Sequence, residues 1–171
     1  MLCIDSQIWI YYFDTNALEH KNVSDWMNGK HEDGVLFIEE IILSTIIPME
    51  VAHNLFKLAQ ENKDMDRDKT EEILLSMVSL ENCQLVEVDQ LLIITAIKKL
   101  KKYVSMGIGG RDSIILASME RLNMRNIATH DKNILFLKDL KRIDPTFSPP
   151  LILNIGEEFN YQDFKSRLSE K

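Results

Sequence analysis

The chain has 171 residues, 45% hydrophobic and 27% charged, a composition typical of a single globular domain spanning residues 1–171. No stretch approaches the roughly 20 apolar residues that a membrane span needs, and Asp5 stands where a signal peptide would be basic, so we expect a cytoplasmic protein without a membrane partner. The formal net charge of −7 argues against broad attraction to a nucleic-acid backbone, although bound cations would lower the effective charge.

The first part of the chain alternates predicted strands and helices. Leu2–Ile4 is an apolar run that predicts a strand, and Asp5 follows it directly, ahead of a densely apolar helix over residues 8–13. A second short helix is expected within residues 14–34. The next β-rich run predicts the second strand, which we place at Ile41–Ser44.

A long helix is predicted from about Thr45 to Gln60. Pro48 fits only the first turn of that helix, which places Glu50 close to its N-terminal end. A charged connector at residues 61–68 then leads to a further helix over about residues 69–80.

The third predicted strand is Leu85–Val88, and Asp89 after it is interpreted as the cap of a long amphipathic helix over Gln90–Tyr103. The predicted buried face of this helix consists of Ile93, Ile97, Leu100 and Val104. Its last turns carry four lysines: Lys98, Lys99, Lys101 and Lys102.

Residues 107–131 predict a glycine-rich loop, a helix, a short strand and two acids. Asp112 occupies the position expected of a helix N-cap, and Ile127–Thr129 predicts a strand that is followed by Asp131. A helix of about twelve residues covers roughly 18 Å and a strand of about five covers roughly 17 Å. The two acids should therefore return to one edge of the fold.

The remaining residues predict a short helix at Lys132–Leu140, an irregular proline-containing connection, a fifth strand at Leu151–Ile155 and a final helix with Phe159, Phe164 and Leu168 directed inward. Strands that alternate with helices are typical of a parallel sheet covered on both faces. We therefore predict a three-layer α/β/α sandwich with a mainly parallel sheet of about five strands.

Four acids from four separate segments should meet at one edge of this sheet, because strand carboxyl ends and the following helix amino ends share an edge. They are Asp5, Glu50, Asp112 and Asp131. Each alone is typical of a helix cap. Together they would repel one another unless they take up protons or bind cations, and oxygen ligands without cysteine favour Mg²⁺ or Mn²⁺. Such a metal can activate water for phosphodiester hydrolysis.

These residues resemble the PIN domain family. The resemblance covers nearly the whole chain and rests on Asp5-Ser6 after the first strand, the Ser44-x-x-x-Pro-x-Glu50 helix, Arg111-Asp112 at a helix start, and Thr129-His-Asp131. It implies a ribonuclease with Asp5, Glu50, Asp112 and Asp131 around one or two divalent metals. Ser6 and Thr129 match positions that support the acids, whereas Gln7 departs from the usual Asn.

The resemblance also implies partners: a single-stranded or structured RNA, an antitoxin protein if the chain is a VapC-like toxin, and a second copy of the chain in a homodimer. Arg111 is the candidate phosphate contact, since its planar fork suits phosphate. Lys98 and Lys102 are further candidates for the RNA backbone. His130 is assigned a structural role, because neighbours on a strand point to opposite faces.

Two other classes remain open from the sequence. A receiver-like module that senses phosphate or metal would also gather acids at a strand edge, and it would take up phosphate on one aspartate. A degenerate PIN scaffold that only binds proteins would not bind Mn²⁺. An RNA-processing nuclease is the alternative to a toxin within the ribonuclease interpretation.

Overall fold

A parallel sheet organises the computed structural model, which describes residues 1–29, 34–61 and 66–169. Within these residues the sheet has six strands: β1 (Leu2–Ile4), β2 (Ile41–Ser44), β3 (Cys83–Val86), β4 (Asn126–Ala128), β5 (Lys141–Asp144) and β6 (Leu151–Leu153). Their order is β3-β2-β1-β4-β5-β6, and all neighbours are parallel except β5 and β6. Most of the predicted connector at 61–68 lies outside the described residues.

Helices flank this sheet. They are α1 (Ser6–Phe13), α2 (His20–Asn28), α3 (Val35–Ile38), α4 (Ile46–Glu61), α5 (Arg67–Val78), α6 (Gln90–Tyr103), α7 (Gly110–Arg121), α8 (Lys132–Leu135) and α9 (Tyr161–Ser169). None of the helices in the described ranges is long and apolar enough to cross a membrane.

The central strands are apolar throughout because both of their faces are covered. Every residue of β1 and β2 is buried, as is typical of parallel strands between two layers of helices. The register sets Cys3 of β1 against Ile42 of β2 on one side and Ile127 of β4 on the other. The predicted α/β/α architecture with a mainly parallel sheet is confirmed.

The sheet has one more strand than predicted, because Lys141–Asp144 was interpreted as part of an irregular connection. Arg142 and Asp144 in this strand are fully buried, which a sequence pattern of charged residues does not suggest. The Arg142 guanidinium donates to the carbonyls of Leu137, Leu140 and Glu157, at 3.1, 3.0 and 2.8 Å. These hydrogen bonds engage the two terminal nitrogens of a buried charge that would otherwise be costly, while Nε has no partner among the described residues.

Other element boundaries also differ from the predicted ones. Strand β3 begins and ends two residues before the predicted Leu85–Val88. Helix α8 ends at Leu135, before the predicted Leu140, and residues 35–38 form a short helix ahead of β2.

The buried face predicted for α6 is wrong. Ile93, Ile97 and Val104 are 37%, 61% and 58% exposed, and the buried side chains of the helix are those of Leu92, Ala96 and Tyr103. Both sets repeat at helical spacing, and α6 packs against α7 through the second set. An apolar strip is therefore exposed along α6 and the residue that follows it. The strip consists of Ile93, Ile97, the half-buried Leu100 and Val104.

The C-terminal segment builds a second, mainly aromatic core. Phe159 and Phe164 are buried, as predicted, and they cluster with Leu135, Phe147 and Leu153. The rings of Phe147 and Phe164 lie edge to face with centroids 5.6 Å apart, a favourable aromatic geometry. This cluster places β6 and α9 beside the end of β4, where two of the predicted site residues lie.

Candidate active site

Asp5 lies at the junction between β1 and α1. Its backbone N–H donates to the carbonyl of Ala128 (2.9 Å), so the residue belongs to the seam between β1 and β4. Its side chain caps α1, with Oδ1 accepting from the backbone N–H of Ser6 at 2.8 Å. Asp5 is only 7% exposed. Asp5 therefore caps α1 and also lies directly after β1, as predicted.

Thr129 connects Asp5 to Asp131. It is fully buried at the end of β4, and its hydroxyl donates to Asp5 Oδ2 at 2.7 Å. The same hydroxyl oxygen accepts from the backbone N–H of Asp131 at 3.0 Å. Asp131 in turn caps α8, with Oδ1 accepting from the N–H of Asn133 at 2.7 Å. One threonine hydroxyl thus fixes two acids that are 126 positions apart in the chain.

Ser6 connects Asp5 to Glu50. The Ser6 hydroxyl lies 3.0 Å from Glu50 Oε2 and 3.4 Å from Asp5 Oδ1, and the shorter contact is the better hydrogen bond. The other oxygen of Glu50 pairs with the guanidinium of Arg111. Helix α4 therefore contributes its glutamate to the same edge, and Arg111 of α7 lies beside it.

Asp112 occupies a different position in its helix from the one predicted. Gly109 is the N-cap of α7, and Asp112 is the third helical residue, whose Oδ2 accepts from the Gly109 N–H at 2.8 Å. The prediction failed because a glycine cap has no side chain to mark it. Asp112 still lies in the first turn of the helix, as the site hypothesis requires.

Electrostatics link three of these acids. Burial, and then the charges of Asp112 and Asp131, raise the pKa of Asp5 to about 6, against the lowering effect of the hydrogen bonds from Thr129 and the Ser6 N–H. The pKa of Asp131 is also raised, mainly by burial and then by the charge of Asp112. The charges of Asp112 and Asp131 therefore act on Asp5, and the three acids repel when all are ionised.

These residues fit a hard divalent cation by donor chemistry and by charge. All the donors are carboxylate or hydroxyl oxygens, which Mg²⁺ and Mn²⁺ prefer. A cation would also offset the burial and the repulsion that raise the pKa of Asp5. Across the described parts of the chain, no three His, Cys, Asp or Glu side chains form a ready-made metal site. Asp112 and Asp131 each hydrogen-bond the backbone of their own helix instead.

The two lysines predicted to bind RNA, unlike Arg111, make no contact with the four acids among the described residues. Lys102 donates to the hydroxyl of Tyr103 at 2.6 Å, and that hydroxyl donates to Asp139 at 2.8 Å. Lys98 is exposed on α6. No contact brings either lysine to the four acids within the described residues, so their role in RNA binding stays a prediction.

Sequence reasoning missed Asp144 at the end of β5. This carboxylate is fully buried, and its Oδ2 lies 2.7 Å from Nδ1 of His130. His130 is the residue between Thr129 and Asp131 in the sequence. The sequence gives no clear signal for this carboxylate, because β5 is mostly charged and the proline that follows Asp144 is typical of a loop. The contacts of His130 with Asp144 and Phe164 agree with the structural role that the sequence indicates for it.

Comparison with protein families gives a match to the PIN domain over residues 2–141. Among curated proteins, no relative matches the chain. Among solved structures, the chain is similar to VapC20 of Mycobacterium tuberculosis, described as a sarcin–ricin loop cleaving toxin. The identity is 13% and the TM-score 0.62, over 77% of this chain and 91% of VapC20.

Two complexes also contain similar chains. One is a toxin–antitoxin complex from Klebsiella pneumoniae, with 15% identity and a TM-score of 0.57 over 85% of this chain and 98% of the other. The other is VapBC2 of Rickettsia felis bound to a promoter DNA fragment, with 14% identity and a TM-score of 0.57 over 84% and 98%. At these identities the likeness shows a shared fold.

Proposed function

The chain belongs to the PIN domain family, and from this premise we propose that it is a metal-dependent endoribonuclease, the toxin of a VapBC-type toxin–antitoxin pair. The observation that carries the proposal is the hydrogen-bonded connection of Asp5 to Asp131 through Thr129, and to Glu50 through Ser6, at the end of the central strand. The proposed cofactor is Mg²⁺ or Mn²⁺, and the proposed compartment is the cytoplasm.

In this proposal Asp5, Asp112 and Asp131 hold the metal, and Glu50 either binds it through water or orients the attacking water. A bound divalent cation supplies an activated water and stabilises charge that develops on the phosphoryl group. Thr129 and Ser6 keep the carboxylates in place through the hydrogen bonds to Asp5 and Glu50. Hydrolysis at this site would proceed by in-line attack of water on phosphorus, without a covalent bond to the protein.

Arg111 is the proposed phosphate contact. Its side chain is 67% exposed while it pairs with Glu50, so part of the guanidinium faces solvent beside the acids. A guanidinium binds phosphate with two parallel hydrogen bonds, and an approaching RNA backbone would compete with Glu50 for it. Lys98 and Lys102 are secondary candidates for phosphate binding, and within the described residues they do not contact the four acids.

Single-stranded or structured RNA is the proposed substrate class. The toxin role, rather than RNA processing, is supported by the description of VapC20 as a toxin and by the complexes with antitoxins. An antitoxin protein is accordingly the proposed partner. A small open reading frame for a DNA-binding protein immediately upstream of this gene would support the pair, and an RNA-processing operon in its place would contradict it.

The decisive experiment is cleavage of RNA by the purified, metal-stripped protein. We expect no cleavage of a single-stranded RNA or of a ribosomal-loop oligonucleotide in EDTA, and cleavage when Mn²⁺ or Mg²⁺ is added. Cleavage in EDTA that equals the cleavage with metal would contradict the metal dependence. Phosphate transfer from acetyl phosphate to an aspartate, without RNA cleavage, would support the receiver-like alternative.

A homodimer is also proposed, with the apolar strip on α6 as its contact surface. Ile93, Ile97, Leu100 and Val104 repeat at intervals of four, three and four residues, the spacing of residues that pack between paired helices. Solvent-exposed apolar strips of this kind usually mark an interface. A second copy of the strip would provide a matching apolar partner.

We expect the protein to have about twice its chain mass of 19.9 kDa by light scattering, and Ile97→Asp to halve that mass, because a charge would enter the interface. Leu18→Asp is the matched control, since Leu18 is 88% exposed outside α6. If the Ile97→Asp protein is still a dimer, the strip is not the dimer interface. If the wild-type protein is a monomer, the homodimer is refuted and the antitoxin becomes the proposed partner of the strip.

A further inference from the structure

The turn that carries Thr129 and Asp131 also carries a histidine that the proposed mechanism does not use. The side chain of His130 is 15% exposed, and it points toward the segment that follows the family match, which ends at residue 141. Its contacts on that side form a buried polar cluster with Asp144 and Thr146.

Hydrogen-bond contacts connect the three residues of this cluster. Nδ1 of His130 lies 2.7 Å from Asp144 Oδ2 and 3.1 Å from the Thr146 hydroxyl, and the Thr146 N–H donates to Asp144 Oδ1 at 3.0 Å. Asp144 and Thr146 are both fully buried. The 2.7 Å contact pairs an imidazole nitrogen with a carboxylate oxygen, a geometry in which Nδ1–H donates to Asp144.

Aromatic rings from two parts of the chain lie close to the imidazole. The ring centroid of Tyr11 in α1 lies 6.1 Å from that of His130, and the centroids of Phe164 and Phe147 lie 5.5 and 6.3 Å away. Phe147 and Phe164 belong to the C-terminal core. His130 is therefore fixed between the first helix and a segment beyond the PIN match.

The position of His130 in the chain gives these contacts a consequence for the site. Thr129, immediately before it, donates to Asp5, and Asp131, immediately after it, caps α8. Residues that hydrogen-bond to a metal ligand and orient it, without touching the metal, strongly affect metal affinity. A loss of the His130–Asp144 hydrogen bond would free the turn between two residues that determine the distance from Asp5 to Asp131.

We propose that His130 and Asp144 form a positioning pair, through which the segment after residue 141 fixes the Thr129–Asp131 turn and the arrangement of the acids around it. His130 is a positioning residue and does not touch substrate. The effect on metal binding rests on the proposed function, whereas the effect on the turn does not.

The test measures hydrogen exchange at the backbone amides of Asp131 and Asn133 in the metal-free protein, together with Mn²⁺ affinity by calorimetry. His130→Leu removes the donor, and we expect exchange about tenfold faster at both amides and Mn²⁺ binding weaker by about tenfold or more. His130→Asn places an amide N–H near the position of Nδ1, and we expect it to keep both values within about threefold of the wild type. If His130→Leu does not fold, His130→Gln serves as the disrupted variant.

Leu153→Ala is the control for a general loss of stability, because Leu153 lies in the same C-terminal core and pairs with Arg142 across β5 and β6. We expect it to lower the melting temperature without changing Mn²⁺ affinity or exchange at Asp131 well below that temperature. Equal effects of Leu153→Ala and His130→Leu, or no effect of His130→Leu, would overturn the proposal. A wild-type protein that binds no Mn²⁺ would refute the proposed function, and the exchange rates would still decide the positioning role.

Discussion

Asp5→Asn is expected to lower kcat/KM for metal-dependent RNA cleavage by about a thousandfold, equivalent to about 4 kcal/mol of transition-state stabilisation. Asp5 lies between the other acids: Thr129 connects it to Asp131, and Ser6 lies between it and Glu50. Asparagine keeps the size and one acceptor oxygen but removes the charge that a cation requires. The measurement is the initial cleavage rate against RNA concentration at saturating Mn²⁺.

Asp89→Asn is the matched control for this experiment. Asp89 also follows a strand and caps a helix, with Oδ1 accepting from the N–H of Leu92 at 2.8 Å, but it pairs with Arg121 away from the four acids. We expect cleavage by the control to stay within about twofold of the wild type. If Asp5→Asn retains wild-type cleavage while remaining folded, Asp5 is a cap and the assignment of the metal site fails.

The contrast between these two aspartates explains how far the sequence could predict the site. Each occupies the same local position, an acid after a strand and before a helix, and each caps its helix. Only the other acids at the same edge distinguish Asp5. Their expected convergence follows from strands that run parallel, which the alternation of strands and helices predicted correctly. The sequence therefore predicted which segments meet, but it could not predict which oxygen accepts which hydrogen bond.

Other predictions failed where two physical patterns compete. On α6, the set that contains Leu92 and Ala96 and the set that contains Ile93 and Ile97 both fit a helical repeat. One chain alone gives no means of telling a face that packs on the core from a face that packs on a partner. Strand β5 was missed because Arg142 and Asp144 are charged, and their burial depends on hydrogen bonds from distant segments.

The same substitution, Asp5→Asn, is expected to stabilise the metal-free protein at neutral pH. The folded pKa of about 6 lies above the ordinary value of 3.8, so the folded state binds the Asp5 proton more tightly than the unfolded chain does. The free energy of unfolding therefore falls as pH rises between about 4 and 6 and stays lowered above that range. The difference between the two pKa values corresponds to about 3 kcal/mol at most.

Asparagine carries no charge to desolvate, so it should recover about 1–3 kcal/mol of that loss at pH 7.5 and nothing at pH 4. Urea unfolding of both proteins in EDTA at pH 4, 5, 6 and 7.5 measures the difference. Asp89→Asn should show the opposite sign, because the hydrogen bond from Arg121 lowers the pKa of Asp89 and its charge stabilises the folded state at neutral pH. An Asp5→Asn protein that is no more stable than the wild type at pH 7.5 would mean that burial and the neighbouring acids do not destabilise the Asp5 carboxylate. A bound cation would offset that destabilisation, so added Mn²⁺ should stabilise the wild type and leave Asp5→Asn nearly unchanged.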